Sequence, residues 1–440
     1  MGLDSGKVTN MRSRNRALDQ YSVEDTLQPK VQWLEKALGL ERKEVAKMVL
    51  KRPQVLGYSI TDNMEPKVQW LEERLDLECK EVAKMVFKDP QLFGYSIEDN
   101  LEPKVQWLEE QLGLEGKEVA KMVFKDPQLF GYSIRDNLEP KVQWLEERLG
   151  LERKEVVNMA CGFPPVLGLS ITDNLEPKLQ WLEKRLGMEG KEVAKMVFKD
   201  ERILSCSIED NLEPKLQWLE ERLGLERKEV AKMVHMRPQL FHYSIKDNLE
   251  PKLQWLEERL GLECKEVARM VFKDPTLFSF SIEDNLEPKV RWMREELPLD
   301  GEAVSRMLLA RPELLRPSLE RTLRPKMPWL RDALGASPEQ CANIVHKYPE
   351  LLGCSIDNNL KPTLDFFMEE LGGGRDAPQT RAIILGGMGV LKASLSKRLR
   401  PRAEAMRAAG LVPDFAAHGR IMAGYTDKKF EGWLRRPHAQ

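Results

Sequence analysis

The sequence predicts an all-α fold, a solenoid or superhelix of tandem repeats that each hold two helices and a short 3₁₀ turn. The first observation is a proline that recurs every 37 residues along most of the 440-residue chain, which is typical of repeat architectures. The second is the helical spacing of apolar residues within a unit. The third is the presence of helix-start and helix-stop signals at fixed places in the unit. The prolines are Pro29, Pro66, Pro103, Pro140, Pro177, Pro214, Pro251, Pro288, Pro325 and Pro362, and Pro401 follows 39 residues later.

The first helix of a unit is clearest after Ser133, which has the side chain of an N-cap, with Asp136 three residues on. Apolar residues then follow on one helical face: Ile134, Leu138, Val142, Leu145 and Leu149. Because this face runs through Pro140, we favour a helix that continues past the proline with a kink. The alternative is a helix that starts at Asn137 and holds the proline in its first turn. Gly150 ends the helix.

The second helix is clearest from Glu115 to Lys125, where Val119, Met122 and Val123 share one face. Asp126 precedes Pro127 and is therefore pushed out of the helical region, which ends the helix. Residues 128–130 then suit a short 3₁₀ turn. No such unit can bury its apolar face alone, so stacked units form one continuous core.

Three segments follow from the repeat. Residues 1–21 are a short N-terminal segment and a possible remnant of a transit peptide, 22–401 are an array of about ten repeats, and 402–440 are a C-terminal capping region.

The charge is unevenly distributed along the chain. The chain carries 69 basic and 71 acidic residues, a net charge of −2, yet residues 301–440 have a net charge of +7 and residues 1–300 a net charge of −9. A uniformly basic nucleic-acid binder would differ from this, so any site for a polyanion is a local stripe or lies toward the C-terminus.

The motif P-x-L-(L/F)-x-x-S-(I/L)-x-x-N-L-x-P occurs from Pro90 to Pro103 and again from Pro349 to Pro362. With this motif and its C-terminal segment from Ser394, the chain from Ser22 to Leu434 resembles the mTERF family, the mitochondrial transcription termination factors and their chloroplast relatives. The resemblance implies a left-handed superhelix whose groove binds nucleic acid, usually double-stranded DNA. It implies a role in organellar transcription, including termination, or in RNA splicing or ribosome assembly, and a location in the mitochondrion or chloroplast.

Some units depart from the family pattern. Pro164 is followed by a second proline, Glu201 replaces the second proline of the next unit, and Met388 replaces it in the last; a glycine-rich insertion lies around residues 372–374. The first eight units are nearly identical. Identical units present the same side chains at every step of a duplex, which argues against base-specific readout.

The second helix carries the main candidate for phosphate contacts, a stripe of cations at positions i, i+4 and i+8. Stacked repeats would turn these stripes into a ladder of positive charge; the alternative is a solvated helix face neutralised by neighbours such as Glu118. The ladder comprises Lys43, Lys47, Lys51, Lys80, Lys84, Lys88, Lys117, Lys121, Lys125, Lys191, Lys195, Lys199, Lys265, Arg269 and Lys273. It weakens at Lys228, Lys232 and Met236 and is largely lost at Lys154, Asn158 and Gly162.

A second set of candidates lies in the basic C-terminal third, since the arginine fork suits phosphate; the alternative there is a soluble capping region. Its members are Arg306, Arg311, Arg321, Arg324, Lys326, Arg398, Arg400 and Arg402. A separate lysine column follows the repeated proline, as at Lys104. We interpret that column as structural, because acids at i,i+4 spacing are available to pair with it. The recurring tryptophans, such as Trp107, we interpret as core.

No catalytic signature accompanies these features. The five histidines show no ligand spacing with cysteine or acids, and residues 386–389 lack the Lys-Ser/Thr of a phosphate loop. We therefore predict a monomeric binding protein that is not an enzyme and has no metal, no cofactor and no membrane association. The partner we favour is duplex DNA, bound through its phosphate backbone; the alternatives are RNA, or a protein partner bound by an α-helical scaffold.

Overall fold

The computed structural model describes residues 5–297, 299–370, 391 and 393–436. Every regular element within these ranges is helical, and the all-α solenoid of tandem repeats is confirmed. Contacts divide the chain into two compact units, Met1–Leu212 and Glu213–Gln440. Repeats are numbered here by their capping residue: repeat 1 begins at Ser22, repeat 2 at Ser59, and each later repeat 37 residues further on.

Each first helix opens with one wide π-helical turn and continues as an α-helix, directly in repeats 1 to 8 and after two turn residues in repeat 9. The wide turns of the first nine repeats are Val23–Leu27, Ile60–Met64, Ile97–Leu101, Ile134–Leu138, Ile171–Leu175, Ile208–Leu212, Ile245–Leu249, Ile282–Leu286 and Leu319–Leu323. The α-helices are Gln28–Ala37, Glu65–Leu75, Glu102–Leu112, Glu139–Leu149, Glu176–Leu186, Glu213–Leu223, Glu250–Leu260, Glu287–Glu296 and Lys326–Leu334.

The wide turn explains how the helix contains a proline. Ser133 Oγ accepts a hydrogen bond from Asp136 N at 3.1 Å, and the N–H of Leu138 reaches the Ser133 carbonyl at 3.0 Å. Pro140 is the second residue of the α-helix that follows. The backbone hydrogen bonds thus change from the wide π-helical spacing to the ordinary α-helical spacing beside Pro140. That residue has no N–H to place in either pattern. The helix runs through the proline as favoured, and the alternative start at Asn137 is wrong; the kink stays a prediction.

The second helices begin with a capping box made by two glutamates in repeats 1 to 7. In repeat 3, the N–H of Glu115 donates to the Glu118 carboxylate at 3.0 Å, and the Glu115 side chain accepts from the N–H of Glu118. The second helices are Arg42–Lys51, Cys79–Lys88, Gly116–Lys125, Arg153–Gly162, Gly190–Lys199, Arg227–Met236, Cys264–Lys273, Gly301–Ala310 and Pro338–Lys347.

A 3₁₀ helix closes each repeat and is longer than the three residues predicted. In repeat 3, Asp126 Oδ1 accepts from the N–H of Gln128 at 3.2 Å, so the residue that ends the second helix also caps the 3₁₀ helix. These elements are Pro53–Gly57, Pro90–Gly94, Pro127–Gly131, Pro164–Gly168, Glu201–Ser205, Pro238–His242, Pro275–Ser279, Pro312–Leu315 and Pro349–Gly353.

Further helices flank the nine repeats. An α-helix and a 3₁₀ helix precede repeat 1, at Ser5–Arg14 and Arg16–Gln20. The later elements are Ile356–Leu360, Lys361–Asp365, Phe366–Glu370, Leu395–Leu399, Arg400–Ala408, Phe415–Gly424 and Asp427–Leu434. The glycine-rich insertion at 372–374, the segment 386–389 and Met388 lie outside the described residues.

Arginines at the ends of first helices bind glutamates of the following repeat. Arg74 Nε lies 3.0 Å from a Glu102 oxygen and its Nη2 lies 2.7 Å from Glu109. Hydrogen bonding from Arg74 lowers the pKa of the Glu109 carboxyl. The same bridge joins Arg148 to Glu176 and Glu183, Arg222 to Glu250 and Glu257, and Arg259 to Glu287. These part-buried, bidentate contacts fix the angle between neighbouring repeats.

The lysine after the repeated proline is half-buried in repeat 1 and buried in repeats 2 to 9, and it links the two ends of its own repeat. Lys289 is 2% exposed, and its Nζ donates to the Leu315 carbonyl at 2.6 Å and to Asn285 Oδ1 at 2.7 Å. Burial lowers the pKa of Lys289 to about 8. The same lysine-to-carbonyl bond joins Lys30 to Leu56, Lys67 to Phe93, Lys178 to Leu204, Lys215 to Phe241 and Lys252 to Phe278. The column is therefore structural as interpreted, but the predicted pairing with acids is wrong, because the partner is a backbone carbonyl.

Candidate nucleic-acid interface

The first two cations of each predicted triplet are solvent-exposed. In repeat 3, Lys117 and Lys121 lie one turn apart on the outer face of the second helix, while Val119, Met122 and Val123 are buried on its inner face. The exposed pairs of the other repeats are Lys43 and Lys47, Lys80 and Lys84, Lys191 and Lys195, Lys228 and Lys232, and Lys265 and Arg269. We call these six pairs the cation ladder.

The glutamates beside the cation ladder are engaged at the helix ends. Glu118 Oε2 accepts from the N–H of Glu115 at 3.0 Å, and the equivalent bonds are 3.0 Å at Glu81 and 3.0 Å at Glu192. Their negative charge therefore serves the positive end of the helix dipole. This reduces the neutralisation of the lysines that the alternative of a simple solvated face requires.

The third lysine of the triplet has a role beyond the one predicted. Lys88 Nζ donates to the Phe124 carbonyl at 2.9 Å, and Lys125 Nζ donates to the Cys161 carbonyl at 2.8 Å. Lys273 reaches the Leu309 carbonyl at 3.3 Å, and Lys51 bonds to the Lys88 carbonyl. Each acceptor lies in the last turn of the next repeat's second helix, where carbonyls lack helical partners. These lysines join neighbouring repeats, a role that the sequence did not indicate; their side chains are also exposed, so phosphate contact at these positions stays a prediction.

A half-exposed aromatic side chain lies beside the cation ladder and was missed at the sequence level. Phe124 lines a groove between the second helix of repeat 3 and the turn that joins the two helices of repeat 2, with a volume of about 200 Å³. Lys117, Lys121 and Ala120 line the same groove from repeat 3, and Leu75, Asp76, Leu77 and Glu81 line it from repeat 2. The signal was available: the phenylalanine precedes the last lysine and falls outside the apolar face formed by Val119, Met122 and Val123.

Repeat 4 interrupts the cation ladder. Asn158 and Gly162 stand where the second and third cations of other repeats lie. A Cβ at Gly162 would lie 2.5 Å from a Glu201 carboxylate oxygen. Two departures noted in the sequence are thus coupled, because the glutamate that replaces the usual proline occupies the space left by the missing side chain.

Two C-terminal candidates are buried and unsuited to phosphate contact. Lys326 is 0% exposed and bonds to the Cys354 carbonyl, which makes it a member of the buried lysine column. Arg402 is 4% exposed, donates to the Met422 carbonyl at 2.7 Å and pairs with Asp427 at 2.6 Å. It ties the last two helices to the preceding one. We correct the prediction at both positions.

The other C-terminal candidates are exposed but engaged to different degrees. Arg306 lies 3.5 Å from Glu302 and Arg324 lies 3.0 Å from Glu320, both i,i+4 pairs on the surface, and such pairs contribute little and exchange readily. Arg311 lies 3.5 Å from Glu313 and 3.8 Å from Glu350. Arg398 donates to the Ala423 carbonyl at 3.3 Å, Arg400 lies over the Phe366 ring, and Arg321 is exposed.

The sequence pattern of one protein family, mTERF, matches residues 1–259 and 256–431. The chain belongs to the mTERF family. The matched segments contain the repeats that carry the cation ladder, and membership indicates nucleic-acid binding in organellar gene regulation. A comparison with curated proteins gave no match. Among the described residues of this mTERF protein, no helix has the length and apolar character needed to cross a membrane.

Proposed function

We propose that this mTERF protein binds double-stranded DNA through its phosphate backbone, and that it regulates organellar transcription, including termination, by binding rather than by catalysis. The observation that carries the proposal is the cation ladder, whose side chains are exposed while their neighbouring glutamates cap helices. Packed helix layers lie about 8–10 Å apart. Cations repeated at that pitch suit the evenly charged edge of a duplex, where contacts need positive charge and no base sequence.

The cation pairs are nearly identical from repeat to repeat, which supports contact with the DNA backbone over base readout. Lys80 and Lys84 repeat the chemistry of Lys117 and Lys121, so a duplex meets the same groups at each repeat. Reading a sequence requires different side chains at different steps, chiefly forked or amide groups that match base edges. We therefore expect weak sequence preference and strong salt dependence.

The test is duplex binding at several salt concentrations for wild type and for Lys117→Gln/Lys121→Gln. Loss of two phosphate contacts should reduce the magnitude of the negative slope of log K against log salt by about 1.8. The sequence preference should not change. The control, Arg135→Gln/Lys246→Gln, removes two exposed charges from wide turns and leaves the slope unchanged. Salt-independent binding of wild type, or equal slopes for the two double variants, would refute the proposal.

The transcriptional role needs its own experiment. A polymerase transcribing a template to which the protein is bound should stop at the bound site, and stopping should weaken with the same lysine substitutions. Detection of the native protein in purified mitochondria or chloroplasts tests the proposed location. Readthrough that is equal with and without the protein, at concentrations that saturate the template, would refute a role in termination while leaving DNA binding intact.

A further inference from the structure

The groove at Phe124 lies between repeats 2 and 3. Its floor is apolar, made by Phe124, Ala120, Leu75 and Leu77, and its volume is about 200 Å³. Pockets for drug-sized ligands run to roughly 300–1,000 Å³, so this one suits a single planar ring system. Phe124 is half-buried, whereas the core positions of the same helix are fully buried. The ring therefore contributes a surface that the fold itself leaves uncovered.

Charged side chains of both signs lie around this ring. Lys117 and Lys121 line the groove together with Asp76 and Glu81, and Lys88 Nζ of the preceding repeat lies 4.7 Å from the centre of the Phe124 ring. Single-stranded nucleic acids are bound by this combination, a positive track for the backbone beside aromatic rings on which bases stack. A duplex keeps its bases paired and stacked, so it can engage the cations but leaves the ring unused.

We propose that the groove accepts an unpaired nucleobase, stacked on Phe124, from a strand whose phosphates lie on Lys117 and Lys121. The inference rests on the proposed function, because it uses the same cations. The aromatic position recurs as Phe87, Phe198 and Phe272, and Phe198 is 39% exposed. A strand lying along the ladder of one compact unit can therefore meet more than one such ring.

The experiment compares three probes of about 15 nucleotides, a length within the range of one single-strand binding module: oligothymidylate, oligouridylate and an abasic deoxyribose-phosphate strand. The base-bearing strands should bind wild type more tightly than the abasic strand. Phe124→Leu keeps an apolar side chain but removes the aromatic face. It should weaken base-bearing strands roughly tenfold, which corresponds to about 1.4 kcal/mol, and leave abasic binding unchanged.

Phe124→Tyr is the matched control, because it keeps a ring able to stack and should retain the preference for bases. Comparison of the two base-bearing probes shows whether RNA or DNA is the better source of the base. Equal affinities for abasic and base-bearing strands, or equal losses with Phe124→Leu on all three, would overturn the inference. The proposed function would survive that result if binding kept its salt dependence, and would fail with it if duplex binding were also salt-independent.

Discussion

The buried lysine at position 289 should make the stability of its repeat depend on alkaline pH in an unusual direction. Its pKa is lowered from 10.5 to about 8 by burial, so between these values the unfolded chain binds more protons than the folded chain. Stability therefore rises with pH in this window. For a single group with these two pKa values, the gain between pH 7 and pH 10 is about 2.5 kcal/mol.

The perturbation is Lys289→Met, which removes the titrating group. Its Nζ serves two acceptors, the Leu315 carbonyl at 2.6 Å and Asn285 Oδ1 at 2.7 Å. The two acceptors left unsatisfied lower the free energy of unfolding by about 1–3 kcal/mol each. Removal of the buried charge offsets about 3.4 kcal/mol of this loss at pH values below the folded-state pKa of Lys289. At pH 7 these effects nearly cancel. At pH 10 the charge is largely gone from the wild type, so the substitution should cost about 2.5 kcal/mol more than at pH 7.

The assay is urea unfolding of wild type and Lys289→Met at pH 7 and pH 10, followed by circular dichroism. Only the difference between the two proteins is used, because it cancels the titration of all other groups. Lys289→Gln is the control: its amide still donates, so its loss at pH 7 is smaller, yet its loss should grow with pH in the same way. A difference between wild type and Lys289→Met that stays constant across this range would refute the reasoning.

Two further predictions concern single positions whose equivalents differ along the array. Asp76 has a left-handed backbone with φ 52°, where the other repeats through repeat 7 have glycine; Asp76→Gly should therefore stabilise the chain by about 1 kcal/mol, measured by urea unfolding, and a loss of stability would contradict this. Arg316 makes two 2.7 Å hydrogen bonds to Asp274, whose pKa is lowered because bonds from Arg316 and Thr276 outweigh burial. Arg316→Gln should cost about 2–3 kcal/mol at pH 7. The deficit should begin to shrink as pH falls below about 4, where the unfolded chain protonates Asp274, and should disappear only below the lower pKa of Asp274 in the folded protein; a deficit that does not depend on pH would count against the ion pair.

Local chemistry made much of the fold predictable. The N-cap at Ser133, the stop before Pro127 and the glycine at 150 each act within a few residues, so their signals are present in the sequence. The wide turn before Pro140 was not predicted, because a 3.6-residue apolar period does not distinguish one wide turn from an ordinary one.

The roles of the lysines were less predictable, because their partners are distant backbone atoms. Lys88 binds a carbonyl 36 residues away and Lys67 one 26 residues away. A carbonyl has no residue identity, so no pairing pattern in the sequence marks it. The predicted acid partners of Lys104 and its equivalents followed from i,i+4 spacing alone, whereas glutamates such as Glu102 and Glu118 are held by arginines such as Arg74 and by helix N-termini.

The same residue type therefore has three functions within one repeat, and this limits the charge available to a ligand. Lys104 is buried in its repeat, and Lys125, although exposed, donates to a carbonyl of the next repeat, whereas Lys117 and Lys121 form the exposed pair of the cation ladder. Two phosphate contacts from that pair contribute about 1.8 to the magnitude of the salt slope for each engaged repeat. Division of a measured slope by that value gives the number of repeats on the duplex. A slope larger than the cation pairs of one compact unit allow would mean that further exposed cations, such as Arg321, also contact phosphate.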